Sequence, residues 1–340
     1  MERRGWRGSC KGLGRTDRFA GLDDAVPVPT QKFHMMPMPL ISFIIVNYRA
    51  ADKVERAVRS IGQHCASSHE IIVVDNSDDA HHRADLATRL QPLPAQLIDP
   101  GHNGGFGAGC NVGARVATGR HLFFLNPDAA LVEDCASSMA GTLDSDPTLG
   151  AIGCKVFNEN DKVENSFGEF ITIRRPLRWA KHVLHGCLRR LTGTKTALPP
   201  AKPMLREGLQ DTQYVTGAAL MMPAAVFQKL NGFDESFFMY AEETDLQYRM
   251  TKHLGLKTKV NLDVKVFHEN GGTFTIKNHR RCLLERGCYI FIKKHHSYIY
   301  AQSYKALALM AAMIEVLASP VFSDYSAKDN AKLFVEVLKF

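Results

Sequence analysis

None of the eight cysteines forms a C-x-x-C pair, and their spacing offers no set of metal-binding thiols. Several lie in apolar or helical contexts, where a free thiol behaves as a small hydrophobe, so a reducing, cytoplasmic setting is expected. The N-terminus has no apolar core of the signal-peptide kind, which argues against secretion. No apolar run reaches the roughly twenty residues that a membrane span needs. The longest, Ala306 to Pro320, is broken by Glu315. A helix lying on protein or in a membrane interface is expected there. No Ser-His-Asp spacing argues for a covalent nucleophile. No basic strand interleaved with aromatics and no recognition-helix motif supports nucleic-acid binding.

What is present is ordinary for a globular chain: 340 residues, 45% hydrophobic and 23% charged. That length allows one large domain with appendages, or two domains. The net charge of +7 is concentrated. Basic blocks lie within residues 1–20, from Arg174 to Arg206, and from Lys277 to Lys294. Each suits an anionic partner such as phosphate or a lipid surface, or is simply a solvated charged face. Residues 1–39 are rich in Arg, Gly and Pro without hydrophobic period, and read as a flexible extension. Met35, Met36 and Met38 offer translation starts just before the first strand.

From Leu40 the pattern changes. Ile41 to Tyr48, Glu70 to Ser77 and Gln96 to Ile98 read as strands, with a helix from Asp52 to Cys65 on the stripe Val54, Ala57, Val58 and Ile61. The glycine-rich loop Asn103 to Asn111 leads into a helix running through Val112 to Ala117. The run His121 to Leu125 then ends abruptly in Asn126-Pro127-Asp128. Alternating strands and helices over about ninety residues predict a parallel, doubly wound sheet. Ligands bind such sheets at the carboxyl ends of the strands, where Asn126 and Asp128 fall. Their oxygens suit Mg²⁺ or Mn²⁺, or else close an Asx turn. The glycine loop brings backbone N–H groups to phosphate, or is a tight turn. A dinucleotide fingerprint is disfavoured, because Asn47-Tyr48-Arg49-Ala50 after the first strand has no glycine.

Further on, Asp134 to Leu143 reads as a helix and Ala151 to Phe157 as a strand. Arg174 to Leu205, basic and Pro-rich at its end, reads as a mobile flap, a membrane-facing loop or a disordered insertion. Gln213 to Met222 reads as one strand with Thr216-Gly217-Ala218 at its centre, followed by a helix from Pro223 to Leu230. Glu242, Glu243 and Asp245 crowd the first turn of a helix from Glu243 to His253. One acid there offsets the helix dipole; another, beside Phe238 and Tyr240, would have a raised pKa and suit a general base. Lys259 to His268 alternates like a strand, and His268 beside Gly271-Gly272-Thr273 is either a satisfied polar residue or a metal or phosphate ligand.

The order of these motifs resembles the family-2 inverting glycosyltransferases, most of all the rhamnosyltransferase-like branch of bacterial cell-surface polysaccharide assembly. The motifs are Ile44 to Tyr48, Val73 to Ser77, Asn103 to Gly107 with Asn111, Leu125 to Asp128, Thr216 to Ala218, Gly232 to Glu235, Glu242 to Asp245, and His268. They span about residues 40 to 295. The resemblance implies an α/β fold of the GT-A type, a Rossmann-like, mostly parallel sheet over residues 40–276. A basic and amphipathic helical extension would occupy 277–340. It implies a dTDP- or UDP-sugar donor, with L-rhamnose the first candidate, and a glycan or polyprenyl-linked acceptor. The enzyme would be cytoplasmic, with peripheral contact on the inner face of the plasma membrane.

By the same resemblance Asp75 would hydrogen-bond the base, with the backbone near Asn47 and Tyr48 cradling it. Asn103, Gly105 and Asn111 would lie along the ribose, phosphates and sugar, with Thr216 and Gly217 also on the donor. Asp128 takes the place of the last acid of the family's D-x-D element and, with His268, would ligate Mg²⁺ or Mn²⁺. Asn126 stands for that element's first acid. The base would be Glu243, where the family usually has Asp, or else Asp245. The alternative function is a catalytically silent nucleotide-sugar-binding scaffold, suggested by that Glu.

Overall fold

The computed structural model describes residues 40–193, 207–269, 277–321 and 326–340. The expectation for residues 1–39, the Pro-rich stretch after Gly193 and Gly271-Gly272-Thr273 lie outside the described residues.

Strands β1 (Ile41–Asn47), β2 (His69–Asp75), β3 (Ala95–Ile98) and β4 (His121–Leu125) alternate with helices α1 (Ala51–His64), α2 (Ala80–Leu90) and α3 (Phe106–Val116). They form the parallel half of one nine-stranded sheet, in the order β3-β2-β1-β4. β1 is buried along its whole length because both faces are covered. Phe43 and Ile45 point into a core shared with α1 and with α4 (Cys135–Ser145). Ile44 and Val46 point into the opposite core, against α3.

Beyond β4 the sheet becomes mixed. β5 (Ala129–Leu131) and β6 (Leu149–Phe157) precede a short pair, β7 (Phe167–Gly168) with β9 (Tyr214–Val215), and β8 (Leu209–Thr212) pairs with β11 (Lys257–His268). β10 (Ala219–Pro223) runs antiparallel between β4 and β6, while β11 is parallel to β6 and antiparallel to β5. The single strand expected from Gln213 to Met222 is therefore two. It breaks at Thr216-Gly217-Ala218, where the Thr216 N–H donates to the Ser166 carbonyl and the Asn126 N–H to that of Ala218. The break lets the chain pass from the small sheet to the large one and leaves Gly217 beside the site.

The segment expected as a flap or loop is a helix, α5 (Arg174–Thr192). It has a Gly193 C-cap in the left-handed region. α6 (Ala224–Lys229) and α7 (Glu242–Arg249) follow, the latter continuing in a π-helical turn, Met250–Leu254. α8 (Lys277–His295), α9 (Tyr298–Ala318) and α10 (Ala327–Leu338) enclose a third core with Phe237, Phe291, Tyr304 and Leu333. α9 is longer than its apolar run suggested, and at 21 residues it meets the length and composition of a membrane span. One side of it is packed: Glu315 is buried, bound by Arg281 of α8 and Trp179 of α5.

Candidate active site

The carboxyl ends of β1, β2 and β4 open into a cavity of about 650 Å³, closed on its far side by α5, α7 and α8. Tyr48, Asn103, Gly105, Asn126, Asp128, Thr216, Gly217, Glu243 and His268 all line it. Residues more than two hundred positions apart thus meet at one place.

Asn47, Asp75, Asn111 and Asp245 are not among its walls. The register of β1 on β2 sets Asn47 against Asp75, and the Asn47 amide donates to the Asp75 carboxylate at 2.8 Å. The Ser77 N–H and Arg83 bind the same carboxylate, and the Asp75 side chain has no exposure left. These bonds tie the ends of β1 and β2 together. Arg83 also bridges to Asp99 at 2.5 Å. Asn111 donates to the Phe233 carbonyl and Glu235 and accepts from the Phe233 N–H, each at 2.9 Å, tying α3 to the Gly232-Phe233 turn.

Gly105 earns its place sterically. Its φ is +93°, and a Cβ there would stand 1.9 Å from the Phe238 carbonyl oxygen. The Phe106 N–H donates to that same carbonyl at 3.1 Å. The glycine loop and the Phe237-Phe238 segment are therefore one packed wall.

Opposite, the pairing of His268 with Ala129 brings the imidazole beside Asp128. Nε2 lies 3.2 Å from Asp128 and 3.3 Å from the Asn126 amide, and Nδ1 lies 2.9 Å from Glu164. Burial lowers the His268 pKa, but the bonds and charges of Asp128 and Glu164 outweigh it and hold it above the usual value. If Nδ1–H donates to Glu164, a neutral ring turns its Nε2 lone pair toward the Asp128 carboxylate. That arrangement calls for a proton or a cation between the two. A carboxylate, an imidazole oriented by a second carboxylate and an open cavity fit a hard divalent ion that completes its shell with phosphates. Among the described residues no ready-made cluster of three ligands exists, so the phosphates would have to contribute. Glu164 comes from irregular chain after β6, and no motif marked it.

The acid pair begins α7 after two successive non-glycine residues with positive φ, Tyr240 at 70° and Ala241 at 73°. Such a bend is costly and persists only where packing imposes it. It turns Glu242 and Glu243 into the cavity wall, each with one buried oxygen lacking a partner. Burial pushes the Glu243 carboxyl up to about 7, although the N–H groups of Glu243, Thr244 and Gly217 pull it down. Burial, with the neighbouring Glu243 charge, pushes Glu242 further up. Two neighbouring buried carboxyls tend to share a proton. Asp245 is the opposite case. Burial raises its pKa, but His295, Arg249 and Lys294, at 2.7, 2.7 and 2.8 Å, outweigh burial and lower it. Its side chain is fully enclosed among these three partners, away from the cavity.

Over residues 42–226 the chain matches the family model of glycosyl transferase family 2. The chain belongs to that family. It is 25% identical over 213 residues, 62% of its length, to the low-salt glycan biosynthesis hexosyltransferase Agl10 of Haloferax volcanii, and covers 61% of that protein. An uncharacterized glycosyltransferase of Nostoc sp. is 37% identical over 90 residues, 26% of this chain and 28% of the other. The chain thus spans about three-fifths or less of these relatives. A mannosyltransferase of Pyrobaculum calidifontis, solved with GDP-Man and Mn²⁺, superposes with a TM-score of 0.54 at 14% identity, covering 89% of this chain and 87% of the other. That likeness establishes the GT-A fold. In this family-2 glycosyltransferase the cavity therefore lies where the fold gathers its strand ends, and the helices α5 and α8 form its outer wall.

Proposed function

We propose that this chain is an inverting glycosyltransferase that moves a hexose from a nucleotide-diphospho-sugar to a hydroxyl of a glycan or lipid-linked acceptor. One observation carries this: Glu243, one of whose buried oxygens has no partner, and the Asp128–His268 pair face one cavity. Glu243 is the proposed general base. A carboxyl raised to about 7 takes a proton at neutral pH more readily than an ordinary glutamate. Asp128 and His268 would hold Mg²⁺ or Mn²⁺, whose charge, when bound, offsets that building on the leaving diphosphate. Tyr48, Asn103, Gly105, Asn126, Thr216 and Gly217 would line the donor. The transferase domain is proposed over 40–276, with 277–340 as a helical extension that closes the cavity.

The proposed donor is dTDP- or UDP-activated, L-rhamnose being the first sugar to test, and the proposed role is cell-surface glycan synthesis on the cytoplasmic side of a membrane. Thermal unfolding with dTDP, UDP and GDP, each with Mn²⁺ or EDTA, tests the site. A ligand bound only by the folded state stabilises it by about 2.7 kcal/mol at one hundred times Kd. A metal-dependent shift followed by sugar release from the matching donor supports the proposal. A shift without turnover on any donor would favour a silent binding scaffold, and no shift at all would defeat both.

A further inference from the structure

Helix α5 carries six Arg and Lys residues and no acid. Pro176, Ala180 and Val183 form its buried side. Leu177, Leu184, Leu188 and Leu191, at i, i+7, i+11 and i+14, share one stripe of the helix that borders this side at Ala180. The stripe meets solvent: Leu184 is 55%, Leu188 57% and Leu191 73% exposed. Along one flank of it stand Arg174, Lys181 and Arg189, all exposed, and among the described residues no carboxylate pairs with them. Beside α5 lies α9, linked by Trp179 donating to Glu315 and Arg190 to the Val321 carbonyl. α9 has its own open row, Ile299, Met310, Met313 and Leu317, without a charged side chain in it.

Such a surface has to satisfy leucines and cations together. Nucleic acid would engage the cations and leave the leucines in water. A second copy related by a two-fold axis would set one basic flank against the other. An anionic bilayer surface meets both needs: the leucines enter the acyl boundary and the cations meet lipid phosphates. We propose that α5 is a docking helix that seats the protein on an anionic lipid surface. Arg175 and Arg178 of the same helix line the cavity, so docking sets its mouth beside the headgroups. There a lipid-anchored acceptor presents its sugar; this last step rests on the transferase proposal, whereas the docking does not.

Flotation of the full chain with vesicles tests the inference, using phosphatidylcholine alone or phosphatidylcholine and phosphatidylglycerol in equal parts. Recovery with the anionic vesicles should exceed that with neutral ones by about tenfold and fall at high salt. The double variant Leu184→Ser with Leu188→Ser should lose most of that recovery, and so should Lys181→Glu with Arg189→Glu. All four residues are exposed and outside the cavity, so nucleotide-induced thermal shifts should be the same in the variants as in the native chain. Equal recovery with both vesicle types, or flotation unaltered in the leucine variant, overturns the proposal. A dimer in lipid-free solution that the leucine variant dissolves also overturns it, by assigning the stripe to a second copy. Absence of any nucleotide shift in the native chain counts against the transferase proposal and leaves the flotation result standing.

Discussion

Gly287 of α8 abuts the carbonyl of Tyr240: a Cβ on Gly287 would stand 2.2 Å from that oxygen. The contact presses a helix of the C-terminal layer onto the strained bend that aims the acid pair. Gly287→Ala must push the two apart. Overpacking of this kind costs about 1–3 kcal/mol, and relaxing the bend would swing Glu243 within the cavity. The expected outcome is a lower melting temperature together with a fall in sugar transfer larger than the fall in donor affinity, measured by calorimetric titration of the nucleotide. Unchanged transfer in a destabilised variant would separate the bend from the chemistry.

Glu243 is expected to set the acidic limb of the pH profile. Transfer should rise as pH passes through about 7, the value to which burial pushes this carboxyl. Glu243→Gln should cost about two to four powers of ten in rate and flatten that limb. The stability effect has the opposite sign. Because the folded pKa lies above the ordinary 4.5, the fold binds the extra proton. The associated stability is intact below 4.5 and is lost as pH rises through about 7. At pH 8 the Gln variant should therefore be the more stable protein, by on the order of 1–3 kcal/mol, and near pH 4 the difference should vanish. Urea unfolding at the two pH values checks this.

Much of this site was legible because strand ends are marked locally. The run Ile41 to Asn47 announces a strand buried on both faces, and Pro127 stops β4 where Asn126 and Asp128 reach the cavity. What could not be read depends on pairings far apart in the chain. The contacts of Asp75 with Arg83 and Asn47, and of Asn111 with Phe233, join separate elements and carry no local mark. Glu164 has no regular element around it, and only the register of β11 on β5 brings His268 to it. α5 hides its helical period because apolar residues occupy two of its sides, one packed and one open.

Asp245 is expected to be a structural acid. Asp245→Asn leaves Arg249, Lys294 and His295 around a neutral amide, a loss of about 3 kcal/mol if it behaves like other broken buried pairs. Its folded pKa is lowered, so its stabilisation is present above the ordinary 3.8 and is lost as pH falls through the lower value. Activity should drop through instability while the limb near pH 7 keeps its midpoint. A shifted or vanished limb in this variant, with Glu243 intact, would transfer the base role to Asp245.

Glu164 offers the sharpest check on the ion. Its carboxylate holds Nδ1 of His268 at 2.9 Å, which leaves Nε2 for Asp128 and whatever lies between them. Partners that orient a ligating imidazole typically contribute 10–100-fold in metal affinity. Glu164→Gln keeps the size of the side chain but removes the charge that fixes the ring and its basicity. Titration of Mn²⁺ by electron paramagnetic resonance, with saturating nucleoside diphosphate, should show affinity weakened by about tenfold or more. Nucleotide binding in EDTA should stay the same. Asp128→Asn should abolish the Mn²⁺ signal change outright, because among the described residues the Asp128 carboxylate is the hard anionic donor beside Nε2. If both variants bound Mn²⁺ as the native chain does, the ion would have to sit elsewhere in the cavity, and the Asp128–His268 contact would be a salt bridge only.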